Sequence, residues 1–388
     1  MNINLSVVVP TRNRHYYLRF LVEYFYSIDS ESIELIIYDN SDQASRLEFI
    51  SFLDEIGDLR IKYFSDDGEL SQTDNCDRAV SKACGEYIMM LGDDDIFSKH
   101  VLDLIVDWSS NEVDVILPVK GVYYWPDIKS RLYGEKNSGM YHTESFTNTV
   151  ERIDAKGILD CLVDKGGTDI LRLPRLYHGI VKKDLLDKIK ASVGTYFPGP
   201  SPDIANAIAL AVYAKHYIIL DLPLVISGQS KLSAGGKGAA GEHYGEIASI
   251  RQLPKDSAKI WSEKVPFYWS GKTIYAESTL KALNKLRMYE LMKRFNYTYL
   301  YACCFVFDFR YRGRIMHCVR NSLTTFQRSR VIGFFILIWI QRVLHHIKYI
   351  YLRFMQNGGN RNRSIIYIDN TYDVALANDR IIDEFLGK

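Results

Sequence analysis

Three short polar segments carry the residue types from which a reactive site can be built: Pro10-Thr11-Arg12, Asp39-Asn40, and the run Asp93-Asp94-Asp95. Three consecutive carboxylates repel one another unless water or a cation screens their charge. Hard oxygen ligands of this kind suit Mg²⁺ or Mn²⁺, and a site with few carboxylates leaves coordination positions open for a substrate diphosphate. The competing reading is a solvated acidic turn that caps the next helix, with Asp95 or Ser98 as the N-cap. Which reading holds depends on the elements that position the run.

Those elements alternate. Residues 5–9 (LSVVV) form a β-branched run ended by Pro10 and Thr11, as expected of a parallel strand buried on both faces. A helical stretch follows, with Leu18, Leu21, Val22 and Phe25 at helical spacing. Further strands are expected at 34–38 (ELIIY), 60–64 (RIKYF), 87–91 (YIMML) and 115–117, with helices over 72–84 and from near Ser98. This alternation predicts an α/β fold with a mostly parallel, doubly wound sheet. In such sheets ligands bind beyond the carboxyl ends of the strands. Each of the three polar segments directly follows a strand, which favours the metal reading of the Asp run. There is no GxGxxG after the first strand and no GxxxxGK[ST] anywhere, so neither a dinucleotide site nor a P-loop is expected. Gly235-Gly236-Lys237-Gly238 follows no strand-to-helix transition and reads as a flexible loop.

The blocks VVVPTRNR, IIYDNSD and NCDRAVSKACGEYIMMLGDDDIF, in that order and spacing, resemble the three N-terminal blocks of family 2 glycosyltransferases. Members of that family have the GT-A nucleotide-diphosphosugar transferase fold. The resemblance is strongest over residues 5–97, weaker to about residue 230 and absent from the last third. It implies that Pro10, Thr11 and Arg12 line a nucleotide pocket and that Asp39 accepts a hydrogen bond from the base. Asp93 and Asp95 become the ends of the family's DXD motif. By that likeness Asp93 faces the ribose and sugar, Asp94 is the middle residue, and Asp95 ligates Mn²⁺ or Mg²⁺ bound to the donor diphosphate. Gly92 stands where a further aspartate is common, and Asp77 where an asparagine is frequent.

Sugar transfer from a nucleoside diphosphate has two requirements. Charge building on the departing diphosphate must be stabilised, which a bound metal does as a Lewis acid. An acceptor hydroxyl must lose its proton as it attacks, which calls for a carboxylate base within hydrogen-bond reach. The resemblance implies inversion by a single in-line displacement, with the base downstream of the DXD near a helix start. Asp203 in PGPSPDIANAIALAVY is the expected base, although a first-turn aspartate also complements the helix dipole without any catalytic role. Asp169 and Glu144 are fallbacks. The glycine-rich stretch 227–245 is expected to close over a bound donor or to serve as a connector; Lys231, Lys237 and His243 within it are placed to reach the diphosphate once it is ordered. Tyr123, Tyr124, Trp125, Tyr141, His142 and Tyr177 offer faces to sugar rings or to the core.

The charge balance is deceptive. The 388 residues hold 48 Lys+Arg and 47 Asp+Glu, for a net charge of +1. Residues 309–368 contain eleven Lys+Arg and no acid, so the remainder sums to −10. Within that basic window lies the ten-residue apolar run 331–340 (VIGFFILIWI), too short for the roughly 20 residues of a span. On a helical wheel Ile332, Phe335, Ile336, Trp339, Val343, Ile347, Ile350 and Phe354 share one face, away from Arg342, His345 and Lys348. That pattern predicts a helix lying in the interface of an anionic membrane surface, or else packed on the catalytic domain with its basic face solvated. No nucleic-acid module accompanies the basic segment, so no nucleic-acid partner is expected.

Three segments are therefore expected: a catalytic domain over 1–230, a lid or linker over 231–254, and a helical region over 255–388 with the membrane-associating helix. The start, MNINLSVVVPTRNR, does not read as a signal peptide. Six cysteines without a CxxC pair argue against a disulfide scaffold or zinc module. The expected protein is an inverting, metal-dependent glycosyltransferase using a nucleoside-diphosphate sugar, a UDP-linked one foremost. Its acceptor would be a glycan, lipid-linked in bacterial surface-polysaccharide synthesis, and it would sit in the cytoplasm against the inner face of the cell membrane. The alternatives are a catalytically inactive nucleotide-sugar-binding or scaffold protein, and a nucleotidyltransferase of the same fold, which would need a glycine-rich phosphate loop that PTRNR lacks.

Overall fold

The computed structural model describes residues 3–109, 113–129, 134–241, 243–356 and 363–387. The first half runs β1 (Leu5–Thr11), α1 (His15–Tyr26), β2 (Ile33–Asp39), α2 (Gln43–Ile56), β3 (Ile61–Ser65), α3 (Gln72–Val80), β4 (Tyr87–Met90), β5 (Ile96–Phe97), α4 (Val101–Ser109) and β6 (Val115–Tyr124). It continues through β7 (Met140–Glu144), β8 (Val150–Arg152), α5 (Ala155–Asp164), β9 (Ile180–Lys182), α6 (Lys183–Val193), α7 (Pro202–Tyr213) and β10 (Tyr217–Gln229). The strands expected from the sequence are all present, and the one begun at Val115 extends to Tyr124.

The sheet order is β11-β7-β6-β9-β4-β1-β2-β3, where β11 is Arg363–Tyr367 near the chain end. β4, β1, β2 and β3 are parallel, which brings Thr11 level with Asp39 at the carboxyl edge. β9 lies antiparallel between β4 and β6, and the long β10 runs parallel to β6. Val7 and Val9 bury on one side of the sheet with α1 residues Leu18, Leu21 and Phe25. Val8 buries on the other side with Ala79, Ile204 and Ile208. Both faces of β1 are thus covered, which is why its sequence shows no alternation.

The later helices are α8 (Ala234–Ala240), α9 (Ser257–Ile260), α10 (Gly271–Lys285), α11 (Tyr289–Arg294), α12 (Tyr297–Phe307), α13 (Arg312–Ser322), α14 (Thr325–Gln356) and α15 (Thr371–Leu386). The stretch expected as a loop around Gly235–Gly238 is helix α8, started by the Ser233 hydroxyl accepting from the Gly236 amide. α10 opens on a capping box formed by Ser270 and Thr273. It packs against α7 and α12, and α12 packs along α14.

The apolar run 331–340 is the middle of the 32-residue α14. Val331 and Ile338 bury toward α12, and Arg342 donates to the Val306 carbonyl. Residues 325–348 are long and apolar enough, by length and composition, to cross a bilayer. The side chains of Ile350 and Phe354, placed on the apolar face by the sequence, lie outside the described residues.

Beyond α14 the chain returns to the sheet. β11 pairs antiparallel with β7, and α15 packs on α1. Buried hydrogen bonds fix the return: Tyr24 donates to Asp379 at 2.6 Å, Tyr141 to Asn378 at 2.6 Å, and Tyr123 to the Ile368 carbonyl at 2.9 Å.

Candidate active site

At the end of β1 the chain turns outward. Thr11 is buried and its hydroxyl donates to Asp93 at 2.8 Å. Its carbonyl accepts from the Asn40 amide and the Asn75 side chain. Two residues beyond Arg12, Arg14 sits at the start of α1 and donates through Nε to Asp93 at 2.9 Å. A second guanidinium nitrogen pairs with the other oxygen of Asp93 and stands 3.7 Å from Asp94. Burial works against the Arg14 cation, but Asp93 and Asp94 outweigh it and raise its pKa.

All three aspartates of the run are buried, and each is compensated differently. Asp94 accepts from the Ser230 amide at 3.1 Å and hydroxyl at 2.7 Å, while its carbonyl accepts from the Trp125 indole at 3.0 Å. Burial pushes its carboxyl up to about 6, against the pull of Arg14. Burial likewise raises Asp93, again opposed by Arg14. Asp95 accepts four hydrogen bonds: from the Gly92 amide (2.7 Å), Tyr177 (2.8 Å), His178 Nε2 (2.7 Å) and the Gly228 amide (2.9 Å). Burial alone would raise it, yet His178 above all, with Tyr177 and the Gly92 amide, brings it down to about 2.

Asp95 is thus the carboxylate of the run that meets the most protein donors. Its carboxylate is taken up by protein donors and serves to fold the Asp loop. Two glycines make that closure possible. A Cβ on Gly92 would stand 2.9 Å from the Asp95 carboxylate, and one on Gly228 would stand 1.6 Å from the Asp94 carbonyl. The oxygens with fewer protein donors lie one and two residues earlier. Asp93 Oδ1 is buried without a hydrogen bond, facing only the Arg14 cation, and Asp94 Oδ1 faces Arg14 at 3.7 Å. Among the described residues no group of three His, Cys, Asp or Glu side chains is assembled as a metal cage. Two carboxylate oxygens match a cation that keeps most of its shell for water and phosphate, as Mg²⁺ does.

Asp39 lies level with Thr11 at the carboxyl edge of the sheet. It has no exposed surface, and it accepts from the Ser41 amide (2.8 Å), His15 (2.7 Å) and Tyr63 (2.8 Å). Burial works to raise its pKa, and the bonds from His15 and Ser41 lower it. His15 in turn stacks on Phe49 at 4.4 Å. Asp39 thus ties the ends of β1 and β2 to α1 and β3 through His15, Ser41 and Tyr63. Pro10 and Arg12 are half-buried at the rim, and Arg12 reaches Glu69 at 4.0 Å. Asp77, which replaces a frequent asparagine, accepts from the Thr195 hydroxyl and the Tyr196 amide and so ties α3 to the approach of α7.

Asp203 occupies the first turn of α7, after Pro202 at N1. It is half-buried and makes no hydrogen bond or ion pair among the described residues. Burial pushes its carboxyl up to about 6, with Arg175 and Lys120 drawing it back down. The fallbacks are occupied elsewhere: exposed Asp169 accepts from the Leu171 amide in its own turn, and Glu144 lies at the edge where β7 meets β11.

Arg14, His178, Ser230, Arg175 and Lys120 are absent from the sequence expectation. Arg14 lies inside the PTRNR block, but His178 is brought to Asp95 across 83 positions and Ser230 to Asp94 across 136. Of the glycine-rich stretch, Gly228 and Ser230 are the residues that reach the Asp loop. His243 packs against Trp269, with ring centroids 4.0 Å apart and the planes tilted by 38°.

A carboxylate run is thus gathered with Thr11 and Arg14 beyond parallel strand ends, in a sheet covered on both faces. Residues 6–158 match the family described as Glycosyl transferase family 2, and this match, over a mixed α/β fold with a mostly parallel central sheet and a C-terminal helical region, supports a glycosyltransferase. No curated protein matches the chain. Among solved structures, S. aureus TarS 1-349 in complex with UDP-GlcNAc is similar with a TM-score of 0.48 and 13% identity, over 82% of this chain and 90% of that one. The mannosyltransferase PcManGT from Pyrobaculum calidifontis, in complex with GDP-Man and Mn²⁺, has a TM-score of 0.39 and 14% identity over 88% of each chain.

Proposed function

We propose that this chain is an inverting, metal-dependent glycosyltransferase in which Asp203 removes the proton of the attacking acceptor hydroxyl. The carrying observation is the state of Asp203: a half-buried carboxylate with no hydrogen-bond partner, pushed up to about 6, at a helix start. A base works best when its pKa lies near the operating pH. Asp93 and Asp94 would hold Mg²⁺ or Mn²⁺, which when bound would supply Lewis-acid stabilisation of the departing diphosphate. Arg14 neutralises the same two carboxylates, and Pro10 and Arg12 border the nucleotide. The donor we would test first is UDP-linked.

The acceptor is a glycan carried on a lipid, and the enzyme works at the cytoplasmic face of a bacterial membrane in surface-polysaccharide synthesis. This is supported by the outer face of α14, where Ile332, Ile336, Leu344 and Ile347 are 63%, 51%, 58% and 56% exposed. These residues lie opposite Val331 and Ile338, which face α12, and Arg328, Arg330 and Lys348 flank the stripe. Exposed apolar area rimmed with basic groups is suited to anionic lipid, each basic residue near the surface contributing about 1 kcal/mol. The helices α7, α10, α12 and α14 pack in series, so Asp203 and the apolar stripe belong to one stack. On this reading the sheet through residue 230 with the α8 segment is the catalytic part, and the helices from about 255 are the membrane-facing part.

A screen of nucleotide sugars that reads released nucleoside diphosphate, with and without Mn²⁺, tests this. Metal-dependent turnover abolished in Asp203→Asn and Asp94→Asn is expected. Donor binding without turnover against any acceptor would instead identify an inactive nucleotide-sugar-binding protein.

A further inference from the structure

A second cluster of charge lies on the far side of Asp95, away from Asp93 and Arg14. His178 separates the two: its Nε2 donates to Asp95 at 2.7 Å, and its Nδ1 lies 3.2 Å from the Lys120 ammonium. The two ring nitrogens of His178 thus join Asp95 to Lys120, and burial lowers the pKa of both the imidazole and the Lys120 ammonium. An ammonium that donates one proton to His178 has two more for a ligand.

Arg175 is placed by a tightly held turn. The Leu176 amide donates to the Asn206 side chain of α7 at 3.1 Å, and the His178 amide donates to the Met90 carbonyl of β4 at 2.9 Å. Gly179 lets the turn close, because a Cβ there would meet the Arg175 carbonyl at 2.0 Å. Asn206 and Asp203 are three residues apart and share one helix face, so the Asn206 bond sets Arg175 beside Asp203. Arg175 Nε is buried without a hydrogen bond, and the guanidinium makes neither a hydrogen bond nor an ion pair among the described residues. Arg175 and Lys120 both act on Asp203, and Tyr275 of α10 lies close to Asp203 and Arg175.

Arg175 and Lys120 thus lie near enough to Asp203 to act on its charge, yet among the described residues neither forms an ion pair with it. A folded chain that needed only to neutralise Asp203 would bring one of them within ion-pair distance, as it does for Arg14 with Asp93. Cations held near a carboxylate but apart from it leave room for a second anion, and a guanidinium fork with an adjacent ammonium fits a phosphate.

We propose that Arg175 and Lys120 form an oxyanion subsite on the acceptor side of Asp203, which takes a phosphate group of the acceptor and sets its hydroxyl against the base. This rests on the reading of Asp203 as the base and narrows the acceptor to a phosphorylated one. The phosphate belongs either to a lipid carrier or to a phosphorylated soluble glycan, and the two cations recognise the same chemistry in both.

Calorimetric titration of the full chain with inorganic phosphate, in Mg²⁺ buffer with and without saturating UDP, tests the subsite. Phosphate should bind with UDP already in place, and Arg175→Gln and Lys120→Gln should each weaken it tenfold or more. Arg175→Lys, which keeps the charge and loses the fork, should restore part of that affinity and guards against loss of folding, checked by thermal melting. Phosphate displaced by UDP, or bound equally well by both glutamine variants, would overturn the subsite. Repeating the titration with farnesyl phosphate and glucose 1-phosphate identifies the source: tighter binding of the first assigns a lipid carrier, of the second a soluble glycan, and either keeps the subsite. UDP binding is measured separately, so failure of the donor reading is seen by itself while the phosphate titration still decides the subsite.

Discussion

Asp95 and Asp203 are both withdrawn from bulk water, and they end in opposite states. Four donors surround Asp95 and hold it at about 2; Asp203 has none and stands at about 6. Burying a carboxylate is costly unless it is paired or hydrogen-bonded, so the chain spends its polar groups on Asp95 and leaves Asp203 under-solvated. The saturated carboxylate ties the loop together, and the unsatisfied one is the base of the proposed mechanism. A buried acid is thus better judged by its donors than by the motif that contains it.

The largest effect should come from Asp203. Asp203→Asn should lower transfer by about 10²–10⁴-fold, the usual contribution of a general base, with donor binding retained. Its thermal midpoint should hold or rise. Because the folded chain holds the Asp203 proton more tightly than the unfolded one, this group's favourable contribution is complete below the ordinary carboxylate range and is lost as pH rises through about 6. A clear fall in melting temperature for Asp203→Asn would erase the contrast with Asp95.

Asp95→Ala should act on stability. It strands Tyr177, His178 and the amides of Gly92 and Gly228, for a cost of about 3–5 kcal/mol by analogy with breaking a buried polar pair. Denaturant unfolding would show this as a lower midpoint at unchanged slope. Unaltered stability would mean that the four bonds do not hold the loop.

The rate should also fall about tenfold per pH unit below about 6, since only ionised Asp203 accepts the proton. An acid limb near 4 would indicate an ordinary, solvated carboxylate. Gly228→Ala should cost about 1–3 kcal/mol through overpacking, because its new methyl would meet the Asp94 carbonyl. The smallest effect is expected outside the site: Ile336→Asp on the outer face of α14 should reduce sedimentation with anionic liposomes several-fold and leave soluble donor hydrolysis unchanged.

Much of this molecule was legible from sequence, and unevenly so. The buried strands 5–9, 34–38 and 87–91 announce themselves through local apolar runs, and local runs also place Thr11, Asp39 and the Asp run at the sheet edge. The direction each carboxylate faces was not legible. Asp93, Asp94 and Asp95 are identical in type and adjacent in the chain; what distinguishes them is contact with Arg14, Ser230 and His178 from three separate elements. The return of β11 and α15 was hidden for a similar reason. A five-residue strand after a basic helix carries little periodicity, and its partner β7 lies more than 200 positions away.

That return constrains α14. Before it, α12 and α13 belong to the body of the protein; after it, β11 zips onto β7 and α15 lies on α1. Both ends of the helix are therefore moored to the same body. A single passage through a bilayer would carry the last strand to the opposite compartment from the sheet it completes. The helix can float along a lipid surface like a keel, but it cannot pierce one without first unstitching the edge of the catalytic sheet.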